Sequence, residues 1–446
     1  MIKKLILLLP LAGCSLAPTY ERPPAPVAAT YPVATGAAAA QLTWQQYFAD
    51  ARLQELIRLA IANNRDLRVA VLNIEQARAQ FQVRRADLLP TVNAGISGSR
   101  TPGANETITS AYSAGLTVSA FELDLFGRVR SLSNAALAQY LATEEARKAA
   151  HIALVASVAN AYLSLLADDE SLALTQKTLD TRGESLKLVQ LKFDNGIVSR
   201  VDLQQAVSLV ETARVVLAQQ QRQRAADVNL LTLLVGQTLP EAAQGGALAN
   251  TTLAELPGGL PSDLLNARPD IRAAEQQLIA ANANIGAARA AFFPHISLTG
   301  GVGTGSSQLS GLFKSGSWGW TFAPQALVPI FDYGRNSANL GSARAGRDIA
   351  VAQYEKAIQS AFREVADALA GQATYGEQLR AQRAVAAAEQ DRFNLADLRY
   401  RNGAASYFDL LDAQRSLFAA QQAAVQANLA RLQNQVTLYR ALGGGL

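Results

Sequence analysis

The chain of 446 residues contains two copies of one sequence unit. DLRVAVLNIEQARAQFQVRRADLLP, which begins at Asp66, returns in modified form as DIRAAEQQLIAANANIGAARAAFFP, which begins at Asp270. The offset of about 205 residues is too long for a common solenoid repeat. Further along the chain, nearly the same offset aligns Gly127 with Gly334, Asn195 with Asn402, Gly196 with Gly403 and Gly236 with Gly443. The sequence therefore predicts two repeats, 66–236 and 270–443, of one structural unit.

Both repeats have the same internal order of predicted elements. A helix ended by a proline comes first, and a β-hairpin follows it at 91–126 or 295–331. A very long helix, a turn at 195–199 or 402–406, and a returning helix complete the repeat. This order predicts an α+β protein of long paired helices that carry β-hairpins at one end. A plain helical bundle or solenoid is the alternative if the hairpins are discounted.

The two long helices are supported by composition and periodicity. No proline occurs from Gly103 to Leu239 or from Ile330 to Leu446. These stretches are rich in Ala, Gln, Leu and Arg, which favour helices, and apolar residues recur at helical spacing over 152–166. A helix of about 65 residues spans roughly 100 Å, which is far longer than a helix of a globular domain.

The hairpins have the alternation of membrane β-strands. Apolar residues alternate with small or polar ones along 92–97, 116–119, 296–299 and 318–322. This pattern is typical of transmembrane β-barrels, although a water-soluble hairpin packed on helices shows it too. The alternation changes parity near Ala120, which predicts a β-bulge or the rim of a barrel.

Four strands per chain cannot form a closed barrel alone. The smallest bacterial barrels have about 8 strands, and open sheet edges are not tolerated in lipid. If the strands lie in a membrane, the chain must therefore oligomerise. A dimer gives a barrel that its own side chains fill, whereas a trimer gives about 12 strands and leaves room for a duct.

The N-terminus predicts export and acylation. MIKKLILLLPLAGC has a positive start and a short apolar run, so we expect 1–13 to be a signal peptide. Its end, LAGC, resembles a bacterial lipobox, which implies a diacylglycerol and an N-acyl chain on Cys14; an ordinary signal is the alternative. Cys14 is the single cysteine and cannot form an internal disulfide. In the lipoprotein sorting rule, Ser15 implies the outer membrane, and 14–41 is then a Pro/Ala-rich lipidated linker.

Composition excludes several classes of protein. With 49% hydrophobic and 17% charged residues the chain is not disordered, and a net charge of +4 is no signature of nucleic-acid binding. The two histidines, His151 and His295, lie far apart in the sequence and outside any metal-ligand pattern. We therefore expect no catalytic site, no metal and no cofactor other than the covalent lipid.

The chain resembles the TolC-like outer membrane efflux proteins, in particular the lipidated NodT/OprM-like branch that serves RND pumps. The resemblance covers nearly the whole mature chain. It rests on WQQYFADARLQELIRLAIANNRDLRVA from Trp44, FELDLFGRVR from Phe121, ARPDIRAAEQQLIAANANIGAARAAFFP from Ala267, PIFDYGR from Pro329 and LLDAQRSLF from Leu410.

The resemblance implies a homotrimer with a shared 12-stranded β-barrel in the outer membrane and a periplasmic α-barrel of the long coiled helices. An equatorial region would come from 42–65, 237–269 and the tail 444–446. Such a trimer is a passive exit duct for drugs or other small toxic compounds. Its partners are a periplasmic adaptor protein, an inner-membrane RND transporter and the outer-membrane lipid.

The ends of the long helices contain the first candidate site. The Asn-Gly pairs Asn195-Gly196 and Asn402-Gly403 predict tight turns at the periplasmic tip. Each is followed by Ser-x-x-Asp, whose simplest interpretation is a capping box that closes the returning helix. The resemblance implies in addition a latch that holds the tip shut. Its predicted members are Arg399, Tyr400 and Asp202.

A second candidate site lies about one helical turn further along. Asp412 and Arg415 in LLDAQR could form an ion pair on a solvated helix face, which contributes only a few tenths of a kcal/mol. The resemblance implies that Asp412 instead rings a pore constriction, with Phe408 one turn before it and Arg415 beside it. A symmetric ring of carboxylates selects cations.

Other functional classes remain as alternatives. A periplasmic coiled-coil scaffold without a pore shares the helices, but the alternating hairpins argue against it. An exit duct for type I secretion shares the whole architecture. A secreted or surface enzyme would need an acid, base or nucleophile constellation that the sequence lacks. The sequence does not identify the exported substrate.

Overall fold

The computed structural model describes residues 15–32, 42–103, 108–240, 245–254, 256 and 268–445. These form two compact units. The first unit contains 15–25, 72–145 and 272–357, and the second contains 26–71, 146–271 and 358–446 where they are described.

Helices account for most of the described chain. They are α1 (Trp44–Tyr47), α2 (Ala51–Asn63), α3 (Arg65–Ala86), α4 (Arg128–Asp194), α5 (Arg200–Val235), α6 (Pro269–Ala290), α7 (Arg335–Arg401) and α8 (Tyr407–Ala441). Two short 3-10 helices lie at Leu248–Asn250 and Leu309–Gly311. The long helices α4 and α7 each have 67 residues, and their proline-free sequences explain this length.

One described helix, α4, is long and apolar enough to cross a membrane by length and composition alone. In its apolar stretch, 61% of the residues are buried within the protein itself. Core helices of water-soluble proteins meet the same criterion, so this helix does not by itself mark a membrane span.

The first unit contains a four-stranded antiparallel sheet in the order β1-β2-β3-β4. The strands are β1 (Val92–Pro102), β2 (Ile108–Glu122), β3 (His295–Ser306) and β4 (Trp318–Leu327), so each repeat supplies one hairpin. Glycines face each other in the middle: a Cβ on Gly115 would lie 2.3 Å from the Val302 carbonyl oxygen, and one on Gly303 would lie 2.3 Å from that of Ala114. Close approach of β2 and β3 therefore requires glycine at both positions.

The register of β2 against β3 shifts between Val118 and Phe121. Ala120 lies inside this shift and has a φ of 51°, a left-handed conformation that a non-glycine residue rarely adopts. The β-bulge predicted near Ala120 is thereby confirmed, and it accounts for the change in side-chain parity.

A strap of extended chain from Ser15 to Arg22 runs along α6. Arg289 donates to the Leu16 carbonyl oxygen at 3.1 Å, and Asn282 donates to that of Pro18 at 2.7 Å. A Cβ on Gly286 would lie 2.8 Å from the Ala17 Cα, so glycine makes room for the strap. The strap therefore runs antiparallel to α6 and begins near its C-terminal end.

Glu275 fixes the other end of the strap. Its carboxylate accepts two hydrogen bonds from Arg22, at 2.6 and 2.7 Å, and a third from the Tyr20 hydroxyl at 2.9 Å. Burial alone would raise the pKa of this carboxyl, but the bonds from Arg22 and Tyr20 outweigh it and hold the pKa below its usual range. The stabilisation is thus fully present at neutral pH and is lost as the pH falls through the lowered pKa.

We expect Arg22→Ala to release the strap. Glu275 would keep its burial but lose its guanidinium partner, a loss of about 1–3 kcal/mol in docking free energy. Limited proteolysis within 15–25 should become at least about tenfold faster, and Glu21→Ala beside it should not change the rate. Equal cleavage of both variants would show that the ion pair does not hold the strap.

In the second unit, α1 and α2 pack against α8 and α4. Tyr47 of α1 stacks on Tyr439 of α8 with ring centroids 4.3 Å apart and donates to the Gln435 carbonyl oxygen at 2.8 Å. The Tyr162 hydroxyl of α4 donates to the N-cap Asp50 of α2 at 3.0 Å. These contacts hold 42–65 against the long helices. Of the predicted linker 237–269, residues 241–244, 255 and 257–267 lie outside the described part, as does 446 of the tail.

Candidate functional site at the helix turns

The two long helices end in the same turn. Gly196 and Gly403 adopt φ values of +70° and +71°, which glycine reaches without strain. After α4, Ile197 donates its N–H to the Lys192 carbonyl oxygen at 2.9 Å, and after α7, Ala404 donates to that of Arg399 at 2.8 Å. The amides of the neighbouring asparagines, Asn195 and Asn402, also donate back to a carbonyl oxygen one turn earlier. The Asn-Gly pairs therefore act as helix C-caps of the Schellman type.

The returning helices begin with capping boxes. In α5, Ser199 Oγ accepts from the Asp202 N–H at 3.2 Å, and Asp202 Oδ2 accepts from the Ser199 N–H at 3.0 Å. Ser406 and Asp409 form the same pair of bonds in α8. This confirms the capping-box interpretation of both motifs.

An apolar cluster in the second unit ties the two turns together. Its buried members are Val189, Leu203, Ala206, Leu209, Tyr400, Tyr407, Leu410 and Leu411. The Tyr400 and Tyr407 ring centroids are 5.5 Å apart, and Lys192 Nζ lies 4.0 Å from the Tyr400 ring centroid. The helix pairs of both repeats thus contribute side chains to one apolar cluster next to the turns.

The predicted latch residues lie in this region, but Asp202 has no direct bond to the other two among the described residues. Its carboxylate is occupied by the capping box, and Arg399 donates to the Ala404 carbonyl oxygen at 3.3 Å. The Tyr400 hydroxyl is buried and has no hydrogen-bond partner within the described chain. Burial first, and the Asp202 charge second, raise the pKa of Tyr400. Within one chain the three residues therefore form no bond with one another, and the latch stays a prediction.

The predicted constriction residues lie on α8. Phe408 is 63% exposed, and Asp412 follows it on the same helix face at a spacing of four residues. The ion pair considered for Asp412 and Arg415 is wrong: Asp412 pairs with Arg392 of α7 instead. Arg392 also contacts Glu389 at 3.2 Å. Asp412 is thus joined to the helix across the turn and not to its own.

Arg392 is a site residue that sequence reasoning missed. Aligned through Gly196 and Gly403, the first repeat has Ser185 where the second has Arg392, and Gln205 where it has Asp412. The interhelical ion pair therefore occurs in the second repeat alone. The signal available in the sequence was that these two charged residues of the second repeat align with uncharged residues in the first.

Other predicted sites differ in what the structure covers. Cys14 lies outside the described residues. Among the described residues no group of three or more His, Cys, Asp or Glu side chains could hold a metal ion. His295 contacts Glu122 at 2.9 Å at the end of the sheet, and Glu122 also accepts from Arg128 at 2.8 Å.

Comparison with known proteins identifies the class. The family model described as outer membrane efflux protein matches 56–237 and 260–444, one segment for each repeat. The chain belongs to this family of outer-membrane channel proteins, and its helix-rich, duplicated α+β architecture with four strands is the fold of that family.

Individual relatives match this chain over nearly its full length. The probable efflux pump outer membrane protein TtgC of Pseudomonas putida is 50% identical over 451 residues, which covers 98% of this chain and 93% of that protein. Outer membrane protein OprJ of Pseudomonas aeruginosa is 46% identical over 460 residues, covering 100% and 95%. The open-state crystal structure of the MtrE outer membrane channel of Neisseria gonorrhoeae has a TM-score of 0.90, with 44% identity and coverage of 97% and 99%.

Proposed function

We propose that three copies of this chain form the outer-membrane exit duct of a tripartite RND efflux system. The duct conducts drugs or other small toxic compounds passively and is not an enzyme. The observation that carries the proposal is the open four-stranded sheet. β1 and β4 each pair on one side alone within the described chain, so each copy offers two unpaired edges.

The exposed sheet supports a shared barrel. Every residue of β1 and β4 is exposed, and on β4 the large apolar side chains Trp318, Trp320 and Phe322 alternate with Gly319 and Thr321. An apolar face beside a small and polar face fits a barrel with lipid outside and water inside. Pairing β4 of one copy with β1 of the next closes 12 strands without an edge.

The partners follow from the same proposal. A passive duct needs an inner-membrane RND transporter as its energy source and a periplasmic adaptor that joins the two. The exposed turns at 195–199 and 402–406 are the end that would meet the adaptor. Contacts from an adaptor would shift the duct toward its open state by binding that state better.

The experiment uses a bacterial strain that lacks its own RND exit duct. Expression of this chain with a cognate transporter and adaptor should restore resistance, and the purified chain should form cation-selective channels in planar bilayers. No conductance under any condition, together with no change in resistance, would exclude the duct.

Acylation of Cys14 is part of this proposal, with a diacylglycerol on its sulfur and an N-acyl chain. The position of the strap supports it. The Leu16 carbonyl oxygen accepts a hydrogen bond from Arg289, and Arg289 lies six residues before the first residue of β3. A lipid on Cys14 would therefore enter the membrane close to the sheet. Each buried CH₂ of the acyl chains contributes about 0.8 kcal/mol.

We expect Cys14→Ser to abolish acylation while the barrel still inserts, because the β-sheet is a second membrane attachment. Mass spectrometry of the mature N-terminus and flotation of membranes measure the two effects separately. An unmodified wild-type N-terminus at another residue would refute the acylation, and a Cys14→Ser chain that never reaches the membrane would refute the redundancy.

A further inference from the structure

The second unit contains a cavity of about 130 Å³ between α4, α7 and α8. Its apolar lining includes Phe393, Leu417 and Phe418. Its polar lining includes Arg182, Gln414 and Lys177, and no residue of the lining is a carboxylate. A closed cavity of about 150 Å³ accommodates benzene. This one is slightly smaller but partly open to solvent, so it can hold an aromatic ring whose substituents reach beyond it.

Arg182 brings to the cavity a buried charge that has no ion-pair partner among the described residues. Its side chain is 3% exposed, its Nη1 donates to the Leu209 carbonyl oxygen at 3.1 Å, and its Nε is buried without a partner. The guanidinium carbon lies 5.0 Å from the centroid of the Phe418 ring, which compensates the charge in part. Burial, and then the nearby Arg415, lower the pKa of Arg182 to about 10, which leaves the group charged at neutral pH.

Gln414 is a second buried group with an unsatisfied hydrogen-bonding atom. Its Nε2 donates to Ser185 Oγ at 3.0 Å, while its Oε1 has no partner among the described residues. A hydroxyl can donate as well as accept, so a half-turn of the amide keeps the bond to Ser185 and presents Nε2 to the cavity. Arg182 and Gln414 then offer donors, and the missing group is an acceptor with a negative charge.

We propose that this cavity binds a small organic carboxylate, with its carboxylate group on Arg182 and its apolar body against Phe393, Leu417 and Phe418. A buried charge is stable only when it is paired, and a guanidinium matches a carboxylate in shape. Phosphate fits less well, because it is strongly hydrated and apolar side chains lie beside the one buried cation, Arg182; Lys177, the other cation of the lining, is exposed. The site is separate from the proposed duct function, since binding needs neither a transporter nor an adaptor.

The test uses the full chain purified in detergent and 4-fluorobenzoate observed by fluorine NMR. We expect saturable binding of one molecule per chain, over a linear background from the micelles. The neutral amide 4-fluorobenzamide has the same size and should give the background alone. Unlabelled benzoate should displace the probe, and inorganic phosphate at the same concentration should not.

Two variants and one control assign the binding to this cavity. Arg182→Met keeps much of the side-chain volume but removes the charge, and should weaken binding about ten- to a hundredfold. Thr178→Phe fills the cavity from its lining and should abolish binding while Arg182 stays. Arg214→Gln removes an exposed cation that pairs with Glu211 and should bind normally.

The result can overturn the proposal in several ways. Absence of saturable binding to the wild type excludes the site, and equal binding of the amide or of phosphate excludes a carboxylate preference. If Arg182→Met does not assemble, Thr178→Phe decides alone. Normal binding by Thr178→Phe would assign the probe to another surface.

Discussion

We expect that replacing both Trp320 and Phe322 with arginine abolishes insertion of the sheet and, with it, assembly of the trimer. Both side chains lie on one face of β4, and both are more than 60% exposed in a single chain. On the lipid face, arginine near the bilayer midplane costs about 2–4 kcal/mol. Two positions in each of three copies act together, so the total of about 12–24 kcal/mol equals or exceeds the stability of a typical domain.

The neighbouring residue on the other face supplies the control. Thr321 alternates with the two aromatic residues, so its side chain should face the water-filled interior. Thr321→Arg should therefore insert and assemble, with a change in conductance at most. Membrane flotation and the trimer band on unheated gels measure both variants. Normal trimers from the double arginine variant, or equal damage from Thr321→Arg, would contradict the predicted orientation of β4.

The sequence predicted those parts of the fold that local rules determine. Helix length follows from the absence of proline, and the turns follow from Asn-Gly and Ser-x-x-Asp, whose bonds stay within a few residues. The parity change near Ala120 was visible in the same way, since a bulge shifts every later side chain by one face. Duplication strengthened the prediction, because the long helix, the Asn-Gly turn and the capping box are each present in both repeats.

The candidate site was harder to predict because its partners are chosen by helix packing. Asp412 is 20 residues from Arg392 in sequence, and their contact depends on how α7 and α8 are rotated against each other. Local spacing offered Arg415 instead, but a pair three residues apart on one helix is weak and easily replaced. The Asp202 carboxylate likewise accepts a hydrogen bond from the N-terminus of its own helix, where backbone N–H groups are locally available to it.

The phenols of Tyr400 and Tyr407 at the turns stay protonated over the whole physiological pH range. Burial, with smaller effects of Tyr400 and Asp202, raises the pKa of Tyr407 to about 12. Burial and the Asp202 charge also raise the pKa of Tyr400. Both phenols therefore stay neutral and can donate a hydrogen bond at any pH that the periplasm reaches. A latch built on the free Tyr400 hydroxyl would need an acceptor, and Asp202 offers its remaining lone pairs.

The Arg392–Asp412 pair joins the long helix to the returning helix about two to three turns from the tip, which makes it the strongest candidate for a gate contact. Each side chain is nearly half exposed, so solvent screens the pair and one copy alone contributes little. The three copies of a trimer open together, so their small contributions add and would change the balance between closed and open ducts roughly tenfold. We expect Arg392→Ala to raise the single-channel conductance or open probability in planar bilayers by a factor of this order.

Further variants separate the pair from general loss of charge. Arg380→Ala removes a cation from the same helix whose partner, Glu377, lies three residues before it, so it should leave the channel unchanged. Exchange of the charges in Arg392→Asp with Asp412→Arg should restore the closed state, whereas Asp412→Ala alone should open the channel and weaken its preference for cations. Arg399→Ala with Tyr400→Phe tests the latch independently. If Arg392→Ala and Arg380→Ala behave alike while the latch variant opens the duct, the contact that holds it shut lies at the turn. If the wild type already conducts fully, neither contact is the gate.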